Sequence, residues 1–249
     1  MKRYKDLAGK ELNLLNGLPT YIFIEEKDDG LNHLLFSSRM GSVLSLAKEQ
    51  ELVRIGVLLI KNNDLDYIEK RRELIKLGFH LFSTNVTVKR NLGNADFEPS
   101  NLVWKTIAKD EITVMEFQSL WERCKNPGMK IDAQMQSVKS ELGHGWEKYC
   151  MAAFDKEVPI GISIPHIEPG TEDEGRLFYF GILPEQRGKG FAAKMHADSL
   201  QSLISIGASY YIGSTAEENT TMVRVFLRNG CLLNETTEVF YLYLKNHER

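Results

Sequence analysis

Two rhythms of apolar residues alternate along the chain. Runs dense in branched and aromatic residues predict strands: LVRIGVLLI (52–60), NVTVKRNL (85–92), LVWKTIA (102–108), KYCMAAF (148–154), VPIGISIPHI (158–167), RLFYFGIL (176–183), ASYYIGST (208–215) and EVFYLYLK (238–245). Spacings of three and four predict helices over 65–79, 112–124, 132–142 and 219–230. A further helix follows residue 190, with Ala192, Met195, His196, Ser199, Leu200 and Leu203 in step. In the second of these helices Phe117, Leu120, Trp121 and Cys124 share a face. In the first, Leu65, Ile68, Leu74 and Ile75 do, and Gly78 marks the stop. LLFSSRMGSVLSLAKEQ (34–50) reads as a strand end, a turn and a helix, and residues 1–30 as strand-like YIFIEE among charged and glycine-bearing turns.

The order of these elements sets the fold class. From residue 102 it runs strand, helix, helix, three strands, helix, strand, helix, strand. Asp155–Glu157 forms a hairpin turn between two of the strands. That order predicts an α/β (α+β) domain with a mixed sheet, not the regular alternation of a doubly wound fold. The polar, turn-rich NLGNADFEPSN (91–101), with Pro99, predicts a boundary, giving domains at 1–98 and 99–249. ELIKLGFHLFSTNVTVKRNL and VFLRNGCLLNETTEVFYLYL superimpose with Gly78 on Gly230 and Leu92 on Leu244, which suggests a duplicated unit.

Between RLFYFGIL and the helix after it lies PEQRGKG. Gly188 and Gly190 let the backbone turn tightly and let a ligand approach the amides. A helix starting there offers unpaired N–H groups and the positive end of its dipole, and Arg187 and Lys189 add full charges. This combination suits a phosphate or pyrophosphate. A dinucleotide fingerprint at Gly188, Gly190 and Ala193 is set aside, because Pro184–Arg187 intervene between strand and first glycine. No Walker A sequence occurs.

Composition narrows the ligand. The chain has 249 residues and a formal net charge of −3, so nothing global points to nucleic acid or an anionic membrane. A local basic loop in such a chain points to a small phosphorylated molecule. No apolar stretch approaches the roughly 20 residues of a membrane helix. No apolar stretch follows the basic MKRYKDLAGKELN, and the expectation is a cytoplasmic protein. Cys124, Cys150 and Cys231 are scattered, without metal-ligand spacing, and read as core residues of a reduced protein.

With these elements in place, Arg187-Gly188-Lys189-Gly190-Phe191-Ala192 resembles the acyl-CoA-binding motif of the GNAT acetyltransferase superfamily, Gln/Arg-x-x-Gly-x-Gly/Ala. ENTTMVRVFLRNG (218–230) resembles the family's second motif, and the element order over 102–245 is similar to that fold. The N-terminal part then resembles a degenerate half of such a unit. The resemblance implies acetyl-CoA as cosubstrate, no metal, and direct attack by an amine of a small molecule or peptide in a ternary complex. It implies that the amides from Gly188 to Ala192, with Arg187 and Lys189, hold the pyrophosphate. Gly181, Ile182 and Leu183 would pair with the pantetheine arm as an added strand, and Asn219 would bond to it. An N–H near Ile182 or Leu183 would polarise the thioester carbonyl. A monomer and a homodimer are equally compatible.

Two positions depart from the family pattern. Many members carry a tyrosine that protonates the leaving thiolate; alignment to Gly230 places Phe226 there. RLFYFGIL carries no carboxylate to serve as base. The candidates are therefore His166, Glu217 and Glu218 as base, His166 foremost, and Tyr179 as donor. The same departures fit a second reading, a CoA-binding regulatory module without turnover. TEDEG (171–175) is an acidic turn that a cationic acceptor would favour, and equally an ordinary solvated turn.

Overall fold

Strand-forming runs pair and helical runs cover them, in two compact units. The computed structural model describes residues 12–17, 21–26, 31–93, 97, 100–125 and 127–244. The first unit holds the described residues up to Thr87 together with Ser214–Asn219 and those from Asn234 onward; the second holds Val88–Gly213 and Thr220–Leu233. The turns expected within 1–11 and 27–30, Pro99 and Lys245 lie outside the described residues.

In the first unit β1 (Leu12–Gly17) and β2 (Tyr21–Glu26) form an antiparallel pair. Helix α1 (His33–Glu49) then crosses to β3 (Arg54–Lys61), which lies parallel to β2, as a helical crossover requires. Helix α2 (Leu65–Lys76) leads into β4 (His80–Asn91). The last strand of the chain, β10 (Leu232–Tyr243), pairs antiparallel with β3 from Thr236 to Tyr243. The core gathers Ile22, Ile24, Phe36, Met40, Val43, Ile55, Val57, Leu59, Leu74 and Phe240.

Two expectations fail here. Residues 34–50 are one helix, not strand, turn and helix. Phe36, Met40, Val43, Leu44 and Ala47 keep helical spacing throughout and are buried. The serines that resembled a turn instead bond inside the helix, Ser42 Oγ to the Ser38 carbonyl and Ser45 Oγ to that of Gly41. In α2 the period was right but the face was wrong: Leu65, Ile68 and Ile75 are exposed. The inward stripe is Tyr67, Lys70, Leu74 and Leu77, with Lys70 itself buried.

The second unit has strand order β9-β8-β7-β6-β5. Here β5 is Val103–Thr106, β6 Met151–Asp155, β7 Val158–Ile167, β8 Glu174–Ile182 and β9 Tyr210–Ala216. β9 runs past Gly213 into the segment counted with the first unit. Pairs β5/β6, β6/β7 and β7/β8 are antiparallel; β8/β9 is parallel. This is the mixed sheet expected from the element order. Helices α3 (Val114–Cys124) and α4 (Ile131–Leu142) follow β5, α5 (Phe191–Ser205) follows β8, and α6 (Thr220–Arg228) follows β9. A capping box between Thr113 and Glu116 starts α3, and Phe117, Leu120, Trp121 and Cys124 are its buried face, as their spacing foretold. The expected strands at 102–108 and 148–154 are shorter, because 107–109 and 146–148 are single 3-10 turns.

The repeat seen in sequence recurs as geometry. Lys76 and Arg228 end helices, Gly78 and Gly230 follow with φ of 91° and 67°, and β4 and β10 each run for 12 residues, all at one chain offset. Leu92 N–H bonds the Ser209 carbonyl just before β9, and Leu244 N–H bonds that of Val53 just before β3. Each helix–strand segment therefore closes on the strand of the other segment's set.

Gly41 lies inside α1, and a Cβ there would meet nothing within 4 Å. Gly41→Ala is expected to raise unfolding stability by about 0.5–1 kcal/mol. The check is the urea midpoint at unchanged slope; a lower midpoint would mean that the helix is broken at Gly41.

Candidate active site

β8 is held along most of its length on one side only. Its edge toward β7 is registered from Gly175 to Ile182, whereas its edge toward β9 pairs only at Glu174↔Tyr210 and Gly175↔Tyr211. Above Gly175 the two parallel strands part, and the β8 backbone is left with an open edge. The approach is close at the base, where a Cβ on Gly175 would lie 3.0 Å from Ala208 Cβ and from Leu203 Cδ1. Beyond Gly175 β8 continues through Arg176, Leu177, Phe178, Tyr179 and Phe180 to Ile182.

The register of β7 and β8 also slips between Ser163 and Pro165: Ser163 faces Phe180 and Pro165 faces Leu177, so β8 carries one extra residue. The slip breaks the alternation of side chains, and Phe178 and Tyr179 both reach Trp121, at ring separations of 6.4 and 5.0 Å.

At the open end of β8 stands the glycine loop. Gly188 and Gly190 adopt φ of 76° and 83°, and a Cβ on either would meet nothing within 4 Å. Gly190 is the N-cap of α5 and no side chain caps that helix, so its first N–H groups face outward. Lys189 Nζ rests on Gln186 Oε1 at 3.1 Å. Arg187 turns inward: its Nε donates to the Ile182 carbonyl at 3.1 Å and its guanidinium also reaches that of Cys124 at 3.4 Å. Arg187 thus braces the loop against β8 and α3. Leu183 N–H donates to the Ile160 carbonyl at 2.9 Å, which removes it as the expected polarising amide, because β7 continues to pair there. Ile182 points its carbonyl, and hence its N–H, to the other side. Gly181 fits only as glycine, since a Cβ would stand 2.7 Å from the Tyr179 ring and 2.9 Å from Cys124 Cβ.

Beneath the loop, α5 carries a polar group that periodicity had hidden among core positions. His196 is fully buried and ringed by Phe180, Tyr211 and Phe226 at 5.4–5.6 Å. Asn229 Nδ2 donates both to the Ala193 carbonyl and to His196 Nδ1, each at 2.9 Å. Nε2 therefore carries the proton and donates to Tyr211 Oη over 3.4 Å. Burial, with Arg90 adding to it, pushes the imidazole pKa down to about 3, so it is neutral.

The catalytic candidates are dispersed. His166 lies in β7, buried, opposite Arg176, with Nε2 3.3 Å from Glu168 Oε2 and its ring against Phe178. It is not a surface turn residue. Its hydrogen bond holds the Glu168 carboxyl below the usual range. Tyr179 is half-buried, and burial pushes its phenol up to about 12. Glu217 and Asn219 belong to the first unit, where Glu217 pairs with Lys61 at 3.5 Å and Asn219 bonds Thr215 Oγ1 at 3.0 Å. All three cysteines are buried free thiols, pushed by burial to about 11–12 and unsuited to attack. Among the described residues no group of His, Cys, Asp or Glu could hold a metal ion, and no helix is long and apolar enough to cross a membrane.

The fold is similar to those of solved acetyltransferase structures. A GCN5-related N-acetyltransferase from Sphaerobacter thermophilus aligns at TM-score 0.64 and 12% identity, over 94% of this chain and 76% of that one. A tandem GNAT protein from the clavulanic acid biosynthesis pathway aligns at 0.62 and 11%, over 95% and 79%. A GCN5-related N-acetyltransferase from Kribbella flavida aligns at 0.58 and 11%, over 99% and 95%. At these identities the likeness is one of fold. Residues 114–231 match the model of the acetyltransferase (GNAT) family. No curated protein matches the sequence.

Because the neutral His196 takes up no second proton when folded and does so below about pH 6.5 when unfolded, its burial favours folding less and less as pH falls from 6.5 toward 3. Between pH 7 and pH 5 this costs about 2 kcal/mol. Denaturant unfolding at the two pH values checks it: His196→Gln should lose that difference, and an equal difference in both proteins would refute it.

Proposed function

We propose that the second unit binds acetyl-CoA and transfers its acetyl group to an amine of a small molecule or peptide. The observation that carries this reading is the parting of β8 and β9 above Gly175, with the Gly188–Gly190 loop at its open end. The pyrophosphate would sit on the amides from Gly188 to Ala192, beside Lys189, at the N-terminus of α5. The pantetheine arm, an extended chain with two amides, would lie along the open edge of β8 from Ile182 downward. From Ile182 to Leu177 that edge is about 17 Å long. It suits an extended arm better than a compact nucleotide.

The thioester then lies deep, near the extra residue of β8. Amides freed by that bulge at Phe178–Tyr179, in place of Leu183, would polarise the carbonyl. His166, which meets β8 at Arg176, is proposed as the base that takes the proton of the attacking amine, with Glu168 as its partner. Attack forms the C–N bond and breaks the C–S bond, and the sulfur leaves with the electron pair. Holding the two reactants in line supplies much of the rate. The domain reading follows: 99–249 as the acetyl-transfer domain and 1–98 as a partial copy, whose SSRMGSV lacks the second glycine and second basic residue of the loop. Phe226 favours a second reading, CoA binding without turnover.

Calorimetry with acetyl-CoA, desulfo-CoA and NAD tests the cofactor. Both CoA compounds should bind and NAD should not. Gly190→Asp, which puts a side chain at φ 83° and a negative charge among the amides, should weaken CoA binding at least about a hundredfold with the fold intact. Absence of CoA binding to the unaltered protein would overturn the proposal. Binding with no turnover on a broad amine panel would select the second reading.

A further inference from the structure

We propose that the phenol of Tyr211 delivers the proton to the departing CoA thiolate, in place of the hydroxyl that position 226 lacks. The inference rests on the acetyl-transfer reading above and goes beyond it by naming the acid. Tyr211 stands at the last parallel pair, opposite Gly175, where the strands begin to part. Its hydroxyl projects along β9 over Gly213, so closely that a Cβ there would come within 2.3 Å of it. That glycine keeps the hydroxyl's path clear. The Tyr211 ring lies 6.4 Å from that of Phe226, and both rings pack on His196. A donor lost from the helix is thus matched by one on the adjacent strand.

The hydrogen bonds leave this hydroxyl a free proton. His196 Nδ1 accepts from Asn229, so Nε2–H is the donor to Tyr211 Oη. The phenol's own proton meets no acceptor among the described residues, although Tyr211 is buried. The charged and titratable groups facing it are Arg176 from β8, Cys231 after α6 and His196 from α5, with Arg90 from β4 facing His196. None is a carboxylate that would take the proton away. Burial raises the phenol pKa, so it is protonated when the thioester arrives.

The step is balanced. As the C–S bond breaks, its electron pair stays on sulfur and the phenol O–H proton passes to it, giving CoA thiol and a phenolate. The His196 N–H bonds that phenolate until it regains a proton from water after CoA leaves. The amine's proton has already gone to its base.

The test uses free CoA and needs no acceptor. A donor aimed at sulfur stabilises bound thiolate, so the bound thiol should be the stronger acid in the unaltered protein. Titration of the ultraviolet thiolate absorbance of bound CoA reads this directly; burial pushes the three cysteines up to about 11–12, above its window. In Tyr211→Phe the bound thiol should be an about tenfold weaker acid, one pH unit, with CoA still bound. Replacing Tyr211 by 3-fluorotyrosine keeps the His196 bond and the fold but makes a more acidic phenol, and should shift the thiol the other way. Equal thiol titration in all folded proteins would overturn the role of Tyr211 while leaving CoA binding standing. Failure of the unaltered protein to bind CoA would overturn both readings.

Discussion

Everything at the site depends on two parallel strands ceasing to pair after two residues. Paired backbone is the cheaper state, so an open strand edge inside a sheet needs a partner. At the base the packing is close, with Gly175 against Ala208 and Leu203. On the helix side Phe180, Tyr211 and Phe226 pack around His196. The partner is whatever extended amide-bearing chain enters, and an acyl-pantetheine arm is such a chain.

The glycines divide into two kinds, and the division explains the loop. Gly188 and Gly190 are chosen for backbone conformation: both have positive φ and open space where a side chain would be. Gly161, Gly181 and Gly213 are chosen for proximity: a Cβ on each would collide within 2.2–2.7 Å with a carbonyl or an aromatic ring. The first kind leaves the loop backbone uncovered by side chains. The second lets β7, β8 and the Tyr211 phenol pack closely.

The loop and the helix behind it were legible because their physics is local. A strand, a basic two-glycine turn and a helix start can be read within twenty residues of sequence. What could not be read was non-local. The pairing of β10 with β3 joins residues far apart in sequence, and no local pattern specifies it. The face of α2 was misjudged because a lysine counts as polar in a pattern, whereas Lys70 is buried. His196 looked like one more core position; only Asn229 and Tyr211, brought in from other elements, show that it is a hydrogen-bond node. The engagement of Leu183 N–H by Ile160 likewise depends on a register that periodicity leaves open.

A buried neutral histidine is costly, and its surroundings say what it does. A phenylalanine would fill the same space without a desolvation penalty. The imidazole instead joins three elements: Asn229 beyond α6 fixes its tautomer and also holds the Ala193 carbonyl in the first turn of α5, while its other nitrogen reaches β9. Because that first turn adjoins the glycine loop, the node ties the loop to the Tyr211 phenol on β9. With both nitrogens engaged and the pKa near 3, His196 has no proton to exchange near neutral pH. Its contribution is to position: it orients the tyrosine oxygen and leaves that oxygen's own hydrogen free to point into the parted strands.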